Sequence, residues 1–398
     1  MSDGRRTIVI VSPDLGAGGS VSDIAMRHAR ELAANHRVIL MSRSAPQAVP
    51  ARVEMITVVA RRWNWLRRFC HVPNEVSFAL AVRQALLRLH EHSPIDIVWC
   101  HSHATAALSA APLRRLGVQS FMTAHGDIFD RPAGTYSSEL AWFYRQVTPA
   151  AYRLSDRVQV LSPAMRDRAI ASGAAPARIH VIPNGLDAAE IGVPADTPPR
   201  PAESFLPGHR LRLLFVGNLL HVKGPDVLLH AVRILRDGAA GSLDASACFV
   251  GGGPSGELEK LAAQLRLGDH VRFLGSQPRT ALGPHYANCD IVCIPSRSEP
   301  LSLAALEAMM CGAPVVASRT GGLVTVVTDG VTGCLANPGD PQDLARAIRQ
   351  AASSREHLAQ MGLHGFEKVR REYSWPQVAA QLQAMVDGAS NDSPIRAC

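Results

Sequence analysis

Two acids, Glu299 and Glu307, stand in the run from Pro295 to Pro314, where they form a Glu-x7-Glu pair. Glu307 lies about two helical turns beyond Glu299, in the otherwise apolar stretch Leu303-Ala304-Ala305-Leu306-Glu307-Ala308-Met309-Met310. A buried lone carboxylate costs on the order of several kcal/mol unless it is hydrogen-bonded. Two hydroxyls held in cis on a ribose would supply such bonds to Glu307. Sugar hydroxyls would do the same for Glu299, whose charge also meets the positive end of a helix. The amides of Leu301 and Ser302 face the same spot. Two plainer readings stay open: an internal salt bridge to an Arg for Glu307, and a helix cap for Glu299.

Lys occurs three times, at 223, 260 and 368. Lys223 falls in Gly217-Asn218-Leu219-Leu220-His221-Val222-Lys223-Gly224, directly after the apolar run 211–216. An ammonium beside a glycine at a helix start suits a diphosphate. The alternative is a solvated Lys at a turn. Gly251-Gly252-Gly253-Pro254 also follows an apolar run and leaves room for a flat base or a ribose; a flexible turn is its bland reading. Pro13-Asp14-Leu15-Gly16-Ala17-Gly18-Gly19-Ser20 is a third such loop, with anion-attracting amides at a helix start or simply a tight turn. Its spacing is not that of a dinucleotide fingerprint, and no P-loop Gly-Lys-Ser/Thr occurs. His125 ends an apolar strand and precedes Gly126, which places it at a carboxyl edge where it can bond a ligand. His101 and His103 share that edge less persuasively.

These loops require strands before them and helices after them. In the first half, strands are predicted at 7–12, 37–41, 53–59, 95–100, 118–124, 157–161 and 179–182. Helices are predicted at 20–34, 75–91, 103–116, 138–153 and 162–172. The Pro-rich stretch 194–201 breaks the pattern. Strands resume at 211–216, 246–251, 270–275, 290–295 and 314–318. Helices are expected at 224–238, 255–267, 279–288, 301–311 and 341–353, with two more within 354–387. Such alternation means parallel sheets covered by helices. With 398 residues and roughly 150 per domain, two α/β domains facing across a cleft are expected. They are placed at 1–190 and 211–372, with a linker at 191–210 and a terminal helix at 373–390.

Apolar residues at 47% and charged residues at 19% exclude a disordered chain. The apolar runs are too short for a membrane helix or a signal segment. The eight Cys sit mostly in apolar contexts without a CxxC pair and read as reduced, packed thiols of a cytosolic protein. The first 200 residues hold 23 Arg and no Lys against 16 acids, so the whole net charge of +7 arises there. Arg61, Arg62, Trp63, Trp65, Arg67, Arg68 and Phe69 form a basic aromatic patch. It suits anionic lipid headgroups at the inner face of a membrane or is a solvated basic loop with packed Trp. No nucleic-acid module accompanies it.

Together these features resemble the retaining, GT-B-fold glycosyltransferases of family 4, or group 1. The resemblance runs over almost the whole chain. It rests on Gly18-Gly19, Ile182-Pro183-Asn184-Gly185-Leu186-Asp187, Lys223-Gly224, Gly251 to Pro254, Val271-Arg272-Phe273-Leu274-Gly275, the Glu299/Glu307 pair, Cys311 to Ala317 and Thr320-Gly321-Gly322. It implies two Rossmann-like domains, the second holding a nucleotide-sugar and the first an acceptor, with the terminal helix at 373–390 crossing back to the first. Glu307 would hold the ribose. Glu299 and the amides of Leu301 and Ser302 would hold the donor sugar. Lys223, with amides near Gly18 and Gly19 and the Gly217-Asn218 turn, would meet the diphosphate. His125 would touch the transferred sugar, and Gly275-Ser276, with Gly253 nearby, would border the base. Two departures are Asn218, where similar sequences carry an Arg, and Thr325, where they carry a Glu.

The implied reaction moves a hexose from a UDP- or GDP-sugar to a glycan or lipid-linked acceptor, with retained configuration, as in bacterial surface polysaccharide assembly. A donor phosphate oxygen would deprotonate the acceptor. No metal ligand set is evident, since no Asp-x-Asp follows a strand, and no cofactor beyond the donor substrate is implied. A nucleotide-sugar epimerase, a phosphorylase and a non-catalytic nucleotide-sugar-binding scaffold are the competing readings.

Overall fold

Residues 7–11, 211–216 and 291–294 are apolar at nearly every position, so each strand must be covered on both faces. A parallel sheet between helices covers them. The structure is a computed structural model and describes residues 5–16, 20–60, 72–126, 138–194, 210–238 and 242–388. It divides into two units, one of residues up to Pro183 with those from Ala379 onward, the other Asn184–Val378. The chain passes from the first unit to the second at Pro183/Asn184.

In the first unit the elements run β1 (Thr7–Val11), α1 (Ser20–Leu32), β2 (Arg37–Ser42), β3 (Val53–Thr57), α2 (Val72–His92), β4 (Ile97–Cys100) and α3 (His103–Arg114). They continue with β5 (Gln119–Ala124), α4 (Ser138–Leu154), β6 (Arg157–Val160), α5 (Pro163–Ala171) and β7 (Ile179–Val181). The seven strands lie in the order β3-β2-β1-β4-β5-β6-β7, all parallel. A buried polar line crosses this sheet. Trp99 Nε1 donates to Thr123 Oγ1 at 2.8 Å, Thr123 Oγ1 to Gln159 Oε1 at 2.7 Å, and Gln159 Nε2 to the Ile182 carbonyl at 3.0 Å.

The second unit runs β8 (Leu211–Val216), α6 (Pro225–Asp237), β9 (Ala245–Val250), α7 (Gly256–Gln264), β10 (Val271–Phe273), α8 (Gly283–Ala287), β11 (Ile291–Ile294) and α9 (Leu303–Met310). It continues with β12 (Val315–Ser318), α10 (Leu323–Val326), β13 (Gly333–Ala336), α11 (Pro341–Ala351), α12 (Arg355–Glu372) and α13 (Trp375–Asp387). Its strand order is β10-β9-β8-β11-β12-β13, again parallel. Both sheets wind outward in two directions from their first strand, so the topological switch points fall at β1/β4 and β8/β11. Ligands of doubly wound sheets bind at such points, beyond the carboxyl ends of the strands. The core of this unit packs α6 and α11 on the sheet through Val227, Leu228, Val232, Leu235, Leu344 and Ile348.

Helix α13 starts in the second unit and ends in the first. There Val386 O accepts from Arg6 Nη1 at 2.8 Å, Met385 O accepts from Arg157 Nη1, and the Gln383 amide pairs with His36. Two elements escaped the sequence reading: the short helix α10 and the edge strand β13. The six described cysteines are all free, and burial pushes the Cys100 thiol up to about 12. Among the described residues no helix is long and apolar enough to cross a membrane.

Candidate functional site

Loops leaving β8, β9, β11 and β12 meet at one edge of the second sheet. Backbone bonds carry the ladder past the strand ends: Gly217 N donates to Val250 O at 2.9 Å, Leu219 N to Gly252 O at 2.8 Å, and Gly251 N to Gly275 O at 2.9 Å. A Cβ on Gly252 would lie 3.8 Å from Ser276 Cβ and 3.9 Å from Asn218 Oδ1, so these three predicted residues line one place. Gly253, in the loop after β9, packs on Leu219 in the loop after β8. Gly275 has open space where its side chain would be.

Lys223 ends a 3-10 turn, His221–Lys223, and Gly224 follows at φ 69°. That left-handed conformation admits glycine at least cost. Here it is obligatory, because a Cβ would come within 2.0 Å of the Pro295 carbonyl oxygen. The close approach seats the Lys223 loop on the loop after β11. Arg297 locks the two together: its amide donates to Val222 O at 2.8 Å, and its guanidinium reaches His221 O at 2.7 Å and both Asp226 oxygens at 2.9 and 2.6 Å. As a result Lys223 Nζ lies 2.6 Å from Glu299 Oε2, with Ser296 Oγ 3.3 Å from the same oxygen.

Glu299 does not cap α9. That role falls to Ser302, whose Oγ accepts from the Ala305 amide at 3.3 Å. Ser302 takes φ 83°, ψ 93°, which costs a non-glycine residue about 1–3 kcal/mol. Gly322 N donates to Glu299 O at 2.8 Å, and a Cβ on Gly321, at φ 50°, would meet that same oxygen at 2.0 Å. The Thr320-Gly321-Gly322 turn thus clamps the backbone of Glu299. The amides of Leu301 and Ser302 donate to no backbone carbonyl among the described residues.

Glu307 is buried on α9 with both oxygens engaged. Arg279 Nε donates to Oε1 at 2.9 Å and the Tyr286 hydroxyl to Oε2 at 2.8 Å. The salt-bridge reading of Glu307 is therefore realised in the structure. It leaves capacity, because each carboxylate oxygen has two acceptor directions and each holds one of these donors. A cis-diol can place one hydroxyl on each oxygen. Burial raises the Glu307 pKa above its ordinary value, against Arg279 and Tyr286, which favour the charge. Burial and the neighbouring Glu307 drive the Tyr286 phenol far up, so it stays a donor.

In the first unit, histidines gather at the β4 and β5 ends. His101 Nδ1 lies 2.8 Å from His125 Nε2, with the rings stacked at 5.0 Å, and His28 sits 5.2 Å from the His101 ring and 5.5 Å from Trp99. Burial and then His125 hold His28 at about 3; burial and then His103 lower His125 to about 3. Burial takes His101 well below its ordinary value. These rings are neutral in the fold and gain protons below about 6.5 when unfolded. Stability owed to them is complete above pH 6.5 and falls as pH drops from 6.5 toward 3, by up to about 1.4 kcal/mol per pH unit per group. The urea midpoint is expected to drop between pH 7.5 and 5.5 and to drop less in His28→Leu. An unchanged slope in that variant would refute the assignment.

Gly18 and Gly19, and the patch Arg61, Arg62, Trp63, Trp65, Arg67 and Arg68, lie outside the described residues. Arg279, Tyr286, Ser296 and Arg297 were given no role by sequence reasoning. Arg297 stood in view beside Glu299, but nothing in its spacing pointed to Asp226.

Two doubly wound parallel sheets, with a Lys and two carboxylates at the edge of the second, define a two-domain α/β protein of the GT-B type. The family described as Glycosyl transferases group 1 matches residues 197–368, and Glycosyltransferase Family 4 matches residues 21–190. The D-inositol 3-phosphate glycosyltransferase of Salinispora tropica is 30% identical over 410 residues, spanning 95% of this chain and 82% of that protein. The similarly named protein of Geodermatophilus obscurus is 37% identical over 228 residues, 55% of this chain and 49% of that protein, so this match spans about half the relative's length. Anabaena HepE, solved with UDP and glucose, shares the fold with a TM-score of 0.73 and 21% identity, over 96% of this chain and 100% of that one. The chain belongs to the group 1, family 4 glycosyltransferases.

Proposed function

We propose that the protein transfers a hexose from a UDP- or GDP-linked donor to a glycan or lipid-linked acceptor, with retention of anomeric configuration. The observation that carries this reading is the pairing of Lys223 with Glu299 beside the switch point of the second sheet. On this reading Lys223 turns its ammonium to the diphosphate as negative charge develops on the leaving group. Glu299, with the amides of Leu301 and Ser302, then takes the hydroxyls of the transferred sugar. Glu307 accepts from the ribose diol, and Gly275-Ser276 with Gly253 border the base. His125, neutral in the fold, bonds the transferred sugar. The acceptor hydroxyl gives its proton to a donor phosphate oxygen on the same face. Lys223 supplies the positive charge, so transfer needs neither a metal ion nor a cofactor.

A second reading of the acceptor, a phosphorylated cyclitol, is favoured by the names of the relatives and by the basic first half of the chain. Labelled UDP-glucose and GDP-mannose, each offered with inositol 3-phosphate and with lipid-linked saccharides, test both. Transfer with retained anomeric configuration, surviving dialysis against EDTA, is expected. Tight nucleotide binding with no transfer to any acceptor would leave a non-catalytic sugar-nucleotide binder. Loss of activity on EDTA treatment would remove metal independence.

A further inference from the structure

Arg279 does not serve Glu307 alone. Its Nη1 also lies 2.9 Å from Glu190 Oε2, and Glu190 Oε1 accepts from Trp375 Nε1 at 2.9 Å. An unbroken chain of charge-assisted bonds therefore runs Tyr286, Glu307, Arg279, Glu190, Trp375. Its far end has a special place in the chain path. The polypeptide passes between its two units at Pro183/Asn184 and again at Val378/Ala379, and Glu190 and Trp375 each lie close to one passage. The two passages are laced to each other. Leu186 N donates to Tyr373 O at 2.8 Å, and Gly185 lies so close to the indole that a Cβ would sit 2.5 Å from the ring of Trp375. The turn carrying Glu190, Ala188–Ile191, is seated against the turn carrying Arg279, for a Cβ on Gly192 would meet Thr280 O at 2.0 Å.

We propose that Arg279, Glu190 and Trp375 are positioning residues that hold the Glu307 carboxylate ready for the ribose and couple its occupancy to the laced passages. The inference rests on the assignment of Glu307 to the nucleotide. Arg279 is divided between two acids, so a ligand that draws on the Glu307 lone pairs alters the share left to Glu190. Coupling of this kind is reciprocal: loosening the passages weakens nucleotide binding, and binding tightens the passages.

Calorimetric titration of UDP and of GDP, each alone, tests this in the full chain. Glu307→Gln is expected to weaken the better-bound nucleotide. Glu190→Gln, which removes a charge while keeping shape, and Trp375→Phe, which removes the indole N–H together with part of the ring, are each expected to cost about fivefold in affinity in the otherwise unaltered chain. In the Glu307→Gln background the same changes should cost almost nothing. Arg279→Lys should retain more affinity than Arg279→Met. Exchange of the Leu186 amide should slow on nucleotide binding, and not in Glu307→Gln. Equal losses in both backgrounds would overturn the relay while leaving Glu307 as the nucleotide ligand. No loss in Glu307→Gln itself would remove the assignment on which the relay stands. Should Trp375→Phe fail to fold, Glu190→Gln alone decides.

Discussion

Replacing Lys223 with alanine is expected to lower kcat by about 10²–10³-fold, as for loss of one donor at a developing oxyanion, while donor KM changes less. The reasoning is electrostatic. The departing diphosphate gains charge as the sugar–oxygen bond breaks, so an ammonium held nearby is worth more in the transition state than in the ground state. The obligatory glycine at 224 and the Arg297 lock fix where that ammonium starts. The substitution also strands Glu299, which is buried with its side chain only 7% exposed, so thermal stability should fall as well. The double variant Lys223→Ala, Glu299→Gln separates the two effects. It should regain stability and stay slow. A double variant that regained its rate would show that Lys223 acts only by neutralising Glu299.

Glu307→Gln is expected to raise donor KM about 10- to 100-fold, the worth of a charge-assisted hydrogen bond or two. The amide keeps the volume but replaces one acceptor oxygen with a donor, which must then face either Arg279 Nε, a donor only, or the Tyr286 hydroxyl, which has to turn from donating to accepting. A pH profile adds a second signature. The nucleotide needs the charged carboxylate, and burial raises the Glu307 pKa. Donor affinity should therefore weaken on acidification at a pH above the usual carboxylate range, and Glu307→Gln should lose that limb. KM and pH dependence both unchanged in the variant would remove Glu307 from the site.

Most of the fold was legible because the strands are continuous apolar runs and the helices between them are amphipathic. Strand β13 was not legible. Gly333-Cys334-Leu335-Ala336 is short, lacks β-branched residues, and becomes a strand because β12 offers it a partner and Gly333 packs against Val315. Residues that chemistry marks by type were visible at once: a rare Lys, and acids in apolar stretches. Residues defined by distant partners were not. Arg279 follows Gln277-Pro278 and looks like an ordinary cation at the start of the helix expected at 279–288. Only the seating of two 3-10 turns on each other brings it to both Glu190 and Glu307. Arg297 is likewise ordinary until the fold delivers Asp226 to it.

The last turns of α13 have a consequence for biosynthesis. Arg6, His36 and Arg157 find their partners in Gln383, Met385 and Val386, which leave the ribosome hundreds of residues after β1. The amino-terminal half cannot finish maturing before α13 is made. It must wait, partly assembled, for that helix to emerge, and that makes the nascent chain a natural client for chaperones.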